Sequence, residues 1–229
     1  MERTYSGDYS LRGYLNSVFG KMCLGLLVTA LVSFIGASSG LYFRFVSLTG
    51  GLGTLILCIA EMMLSWNITS HMFDFDSSKA TGLFYIFAAV NGFSLSSLFY
   101  AYNIGTLFGA FAFTAILFAC FMIIGKYTNV DMSKFSGLLM GGLMALVICS
   151  LLSFFLPIFR MNMMINYIGL FIFFGLTVFD IQTVTRLYYR SGYAQESISV
   201  YGALNLYLDF INIFIRVLAI MGRYNNDNN

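Results

Sequence analysis

One histidine, one proline and one tryptophan in 229 residues, with charged side chains at only 10%, leave this chain little of what water-soluble machinery is built from. The scarcity of charge excludes a soluble domain: 59% hydrophobic residues is more apolar side chain than a globule of this length can cover, so the chain belongs in lipid. A net charge of +2, scattered and without a basic patch interleaved with aromatics, excludes a nucleic-acid surface. The lone His71 sits between apolar runs, which excludes an HExxH zinc motif and a serine–histidine pairing, and no glycine-rich phosphate loop precedes a lysine. The lone Pro157 stands at the end of an apolar run, as a stop and not as a mid-helix hinge. Cys23, Cys58, Cys120 and Cys149 each lie inside an apolar stretch without metal-type spacing, and read as small fillers between helices. The first twenty residues are polar and mixed in charge, unlike a cleaved signal peptide, so the first span is expected to be retained.

What the chain has in plenty is apolar length. Taking ~20 residues to cross a bilayer, seven spans are predicted at 22–39, 46–66, 82–102, 104–125, 136–157, 163–187 and 199–221, in one all-α polytopic membrane domain covering residues 1–229. With the N-terminus inside, Arg3, Arg12, Lys21, Lys79, Lys126, Lys134, Arg186 and Arg190 fall on the cytoplasmic side, and only Arg44, Arg160 and Arg223 outside. That bias predicts N-in, C-out. Gly105/Gly109 and Gly137/Gly141 are spaced to let helix backbones approach. Trp66, Tyr100, Tyr102, Tyr188 and Tyr189 stand near span ends, as interfacial aromatics do.

The last quarter carries the chemistry. Asp180 lies in LTVFDIQ and Asp209 in LYLDFIN, about equally far from the polar loop near Tyr193 and Ala194, so an antiparallel hairpin would bring the two carboxyls to one depth. An ionisable group inside a span is a functional-site hypothesis by default. In the seventh span Tyr201, Asn205, Asp209, Asn212 and Arg216 follow at steps of four, four, three and four, a polar stripe down one face. Such a stripe is intolerable against lipid, so this least hydrophobic span is predicted to be central, enclosed by the other six. Thr177, Asp180 and Thr183 share a face of the sixth span, with Gln182 nearby. Two readings follow. In the plain one, Asp180 and Asp209 are structural groups ion-paired with Arg186 or Arg216. In the sharper one they are a dyad: two carboxyls held close in a poorly solvated site share a proton and titrate as a unit.

Glu61 in CIAEMMLSW is a third acid inside an apolar run, either near the dyad or at the pore mouth as a cation-attracting group, or else held for helix packing by a serine, threonine or basic neighbour. His71 with Asp74 and Asp76 reads as a solvated loop, and Asn91, Ser94, Ser96 and Ser97 as packing groups or lining on the third span. The serious enzyme alternative is an intramembrane aspartyl protease, which also needs one aspartate on each of two adjacent spans. There the second aspartate follows Gly-x-Gly, whereas Leu206-Tyr207-Leu208 precedes Asp209 here, so no enzyme is expected.

The order of spans, Asp180 in FGLTVFDIQ and the run Leu206-Tyr207-Leu208-Asp209-Phe210-Ile211-Asn212 resemble the Bax-inhibitor family, also called the transmembrane Bax inhibitor motif family, over nearly the whole chain. The resemblance implies a pH-sensitive calcium-leak channel of seven helices, the last central. A di-aspartyl latch between helices six and seven opens when ionised and closes when protonated. By position the latch falls on Asp180 and Asp209, and the family's second-span acid on Glu61. These three would hold Ca²⁺ weakly and in transit, with no resident cofactor; Asn205, Asn212, Arg216 and Thr177 would support them. One departure stands out: where some members have a basic partner for the latch, this chain has Met72 with His71 beside it, so His71 or Arg186 is the candidate partner. The terminal YNNDNN lacks the basic tail of many eukaryotic members, which points to a bacterial inner membrane, with endoplasmic reticulum or Golgi as the alternative. The implied partners are the lipid bilayer, Ca²⁺ and, in a second reading, a membrane protease that the chain regulates without conducting ions. An ion-coupled transporter is a third, without the inverted repeats that would favour it.

Overall fold

The computed structural model describes residues 11–50, 52–70, 77–155, 163–190 and 196–227, and the described residues form helices and no strand. In chain order these are α1 (Leu11–Ser38), α2 (Leu41–Thr49), α3 (Leu52–Ser70), α4 (Ser77–Leu95), α5 (Leu98–Ala101), α6 (Ile104–Tyr127), a 3₁₀ turn (Met132–Phe135), α7 (Ser136–Phe155), α8 (Met163–Arg190) and α9 (Glu196–Asp227). Seven segments are long and apolar enough to cross a membrane, the predicted number. The exposed large side chains are the greasy ones expected against lipid, among them Leu31, Ile56, Phe108, Leu138 and Phe171. His71, Pro157 and the loop centre at Tyr193 and Ala194 lie outside the described residues.

Of the predicted span starts, the first two are furthest from those observed. The first helix starts at Leu11, well before residue 22, because Tyr14, Leu15 and Val18 bury one side of the polar N-terminal stretch while Arg12 and Asn16 stay exposed. The segment predicted to open the second span at residue 46 is a separate nine-residue helix, α2. Gly40 and Gly50 bracket it with φ of 69° and 58°, a left-handed turn of the backbone that only glycine adopts without cost.

Contacts cluster into two compact units, one comprising residues to Ser96 with Thr183–Leu204, the other Ser97–Gln182 with Asn205 onward; α8 and α9 each contribute to both. In the first unit α1 and α4 pack closely. The Thr29 hydroxyl donates toward the Ala88 carbonyl at 3.0 Å, and a Cβ at Gly92 would lie 2.6 Å from the Thr29 carbonyl oxygen and 2.9 Å from its Cα. The Lys21 ammonium donates to the Ser17 hydroxyl at 2.7 Å and to Ser199 at 3.1 Å, tying α1 to the start of α9. In the second unit, Asn103 ends two extended residues after α5 and caps α6, its side chain accepting from the Thr106 N–H at 2.8 Å. Phe210 of α9 fits between Phe111 and Phe118 of α6, with ring centroids 5.4 and 5.5 Å away, and Phe121 stacks on Phe174 of α8 at 4.1 Å.

Of the two glycine pairs read from the sequence, the first brings Gly109 of α6 against the Met221 side chain of α9, 3.3 Å from where a Cβ would stand, and the second meets no neighbour. Positions 137 and 141 face open space, whereas Gly92 against Thr29, and Gly125 against Val178 and Ile181, are where backbones meet.

Candidate functional site: a carboxyl pair on two membrane helices

The helices α8 and α9 hold both aspartates within the second unit. Asp209 is 4% exposed, and its carboxyl has the Asp180 carboxyl and the Thr177 hydroxyl within hydrogen-bonding range. Thr177 already donates its hydrogen to the Phe173 carbonyl at 2.8 Å, so toward Asp209 it presents an acceptor unless that bond is released. A second Asp209 oxygen, Oδ2, is buried with no partner. Two carboxyls can hydrogen-bond to each other only through a proton carried by one of them, and an orphaned carboxyl oxygen in a dry site is costly. The geometry therefore suits a pair that holds one proton and has a coordination position to spare.

The rest of the predicted stripe behaves as a face. Tyr201, Asn205, Asn212 and Arg216 are half-buried, while Leu204, Leu206, Tyr207, Ile213, Val217 and Leu218 around them are fully buried. Asn212 Nδ2 donates to the Leu208 carbonyl at 2.8 Å. Half of the apolar window of α9 is buried, against a third or less in every other span, although α9 carries the polar stripe. The ion-pair reading with Arg216 does not hold: its guanidinium lies 5.2 Å over the Phe173 ring, against Gly169, and its Nε has no hydrogen-bond partner. Seven residues beyond Asp209 on the same helix, it is ~10 Å further along the axis, too far for a contact pair. Arg186 is exposed on the last turns of α8 and belongs to the first unit.

Glu61 also sits in the first unit. Its Oε1 accepts from the Ser94 hydroxyl at 2.6 Å, and the Asn91 side chain is a second partner. Asn91 and Ser94 of α4 thus flank the acid on α3, the kind of polar neighbour the plainer reading expects. Among the described residues no three His, Cys, Asp or Glu side chains converge in a way that would hold a metal ion.

One group escaped the sequence reading, and another was noted there without a role. Thr114 is fully buried, and its hydroxyl has no partner; it shares the face of α6 that carries Phe111 and Phe118. The signal was a single hydroxyl in the middle of an apolar span. Gln182, two residues after Asp180, spends its whole amide on the segment before the 3₁₀ turn: Nε2 donates to the Val130 carbonyl at 2.9 Å, and Oε1 accepts from the Met132 N–H at 3.0 Å.

A polytopic helical membrane protein with a carboxyl pair on its last two spans is the class these features define. The family described as "Inhibitor of apoptosis-promoting Bax1" matches residues 11–226. The chain belongs to this Bax-inhibitor family. It is 32% identical over 216 residues to the inner membrane protein YbhL of Escherichia coli, covering 93% of this chain and 92% of that one. A Borreliella burgdorferi protein is 30% identical over 93% of both chains, and a Deinococcus radiodurans protein 32% identical over 92% of this chain and 90% of its own.

Proposed function

We propose that the protein is a pH-sensitive cation leak of a bacterial inner membrane, passing Ca²⁺ down its gradient, with Asp180 and Asp209 as the gate. The observation that carries this reading is the buried Asp209 carboxyl within hydrogen-bonding range of Asp180, with one oxygen left unpartnered. With one proton in place, the carboxyls tie α8 to α9. When it leaves, two like charges face each other in a dry site and repel, which favours separation of the helices. The freed oxygens are hard ligands of the kind Ca²⁺ prefers, and acids favour cations over anions. Among the described residues no group of three His, Cys, Asp or Glu side chains could hold a metal ion, which suits transit and not storage. The half-buried polar side of the otherwise buried α9 supports a polar path, with Asn205 and Asn212 along it and α9 as the enclosed helix. The inner-membrane name of the E. coli relative supports the location.

The test is Ca²⁺ uptake into liposomes holding the purified protein, followed with an entrapped indicator across pH. Flux is expected to rise as pH rises, and Asp180→Asn or Asp209→Asn is expected to flatten or displace that dependence. Flux that is absent in the wild type, or that keeps its pH profile in both variants, removes the mechanism.

A further inference from the structure

The short helix α2 has one face turned to the protein and one turned away. Tyr42 and Phe45 pack edge-on against Phe93 of α4, with centroids 5.8 and 5.6 Å apart, and Phe45 and Thr49 close over Gly53 at the start of α3. Residues 42, 45 and 49 are one helical stripe, and it is the inner one. Next to it, about 100° around the helix, runs an outward ridge of Leu41, Arg44 and Leu48, at steps of three and four. Leu41 is 50% exposed and Leu48 88%, with Phe43 beside them at 67% and Arg44 also exposed.

An apolar–cation–apolar ridge needs an occupant that takes grease and positive charge together. Two features of the unit say which. The ridge is continuous with surface that faces acyl chains, since Phe34 and Ile35 near the end of α1 and Leu52 and Ile56 at the start of α3 are each more than half exposed. Arg44 is also the one charged residue between Lys21 and Glu61, so its complement is an anion at the level where α1 gives way to α3. The left-handed backbone at Gly40 and Gly50 breaks the helix at both ends, so that α2 need not continue either span.

We infer that α2 is an interfacial helix and that its Leu41–Arg44–Leu48 ridge is a phospholipid site, with the leucines in the acyl boundary and Arg44 on a headgroup phosphate, preferring an anionic lipid. An amphipathic helix held this way sits ~5–10 Å into the headgroup and acyl boundary. Arginine is suited to the phosphate because its planar fork offers paired donors and keeps its charge at any physiological pH.

The test uses the full chain with its four cysteines replaced by alanine, in phosphatidylcholine vesicles with or without phosphatidylglycerol. An environment-sensitive fluorophore on Leu48→Cys should be quenched most by a nitroxide near the lipid headgroup. Aqueous iodide should reach it far less than a fluorophore on Asn129→Cys, an exposed position between α6 and the 3₁₀ turn. Iodide quenching equal to that at Asn129→Cys, or strongest quenching by a mid-chain nitroxide, overturns the interfacial placement. For the phosphate contact, spin-labelled phosphatidylglycerol should quench the Leu48→Cys label up to about five-fold more effectively than the choline lipid. Arg44→Gln should abolish that preference and Arg44→Lys largely restore it. An Arg44→Gln protein that keeps the preference removes Arg44 from the site. These readings involve no ion flux, so they stand or fall apart from the leak.

Discussion

At the scale of single residues, the informative atoms are those left without partners. The Thr114 hydroxyl is fully buried and unbonded, so it stands in the membrane as a cost. If nothing takes that bond, Thr114→Val should stabilise the fold by ~1–3 kcal/mol, because the unsatisfied group disappears and the shape is kept. Reversible unfolding in detergent micelles would measure it, and a destabilised variant would show that the hydroxyl has a partner. Asp180 and Asp209 could be singled out from the sequence because an acid inside an apolar run is costly, and two at one depth invite a pairing. Their relation to Arg216 could not, since a helical stripe says which residues share a face and not what each side chain leans on. Here Phe173 and Gly169 take the guanidinium, and the carboxyls are left to each other.

Elements were legible wherever apolarity ran unbroken. The amphipathic start of α1 escaped because half its residues are polar and a span-length apolar window cannot register it; α2 escaped because apolar residues run through the glycines that break it. Packing was the least legible. A four-residue spacing of glycines predicted approach at 137 and 141, yet the approach that matters is at the single Gly92, where the obstacle is the backbone of Thr29 and cannot swing aside. Gly92→Ala should therefore push α1 and α4 apart and lower stability by ~1–3 kcal/mol, as overpacking does. Gly137→Ala, with open space around it, should be neutral or slightly stabilising through helix propensity. Equal melting temperatures for the two variants would contradict this placement of the α1–α4 contact.

For the whole molecule, the number of spans and the helical class followed from composition and length, which is why the sequence sufficed for them. The orientation proposed rests on charge alone: eight basic residues on the side of the N-terminus against three on the other, with Arg216 inside α9. A fusion of alkaline phosphatase to the C-terminus should be active in a bacterial host, and a fluorescent protein fused there should be dark. The reverse pattern would invert the molecule and place the carboxyl pair nearer the opposite surface. The Gln182 amide has a consequence at this scale as well. Both of its ends are bonded to the main chain at Val130 and Met132, so that stretch cannot slip along α8 without stripping two polar groups at once, at ~1 kcal/mol each. The connector after α6 and the rod bearing Asp180 are thereby coupled, and a tug on the first is passed to the second at up to about the strength of those two bonds.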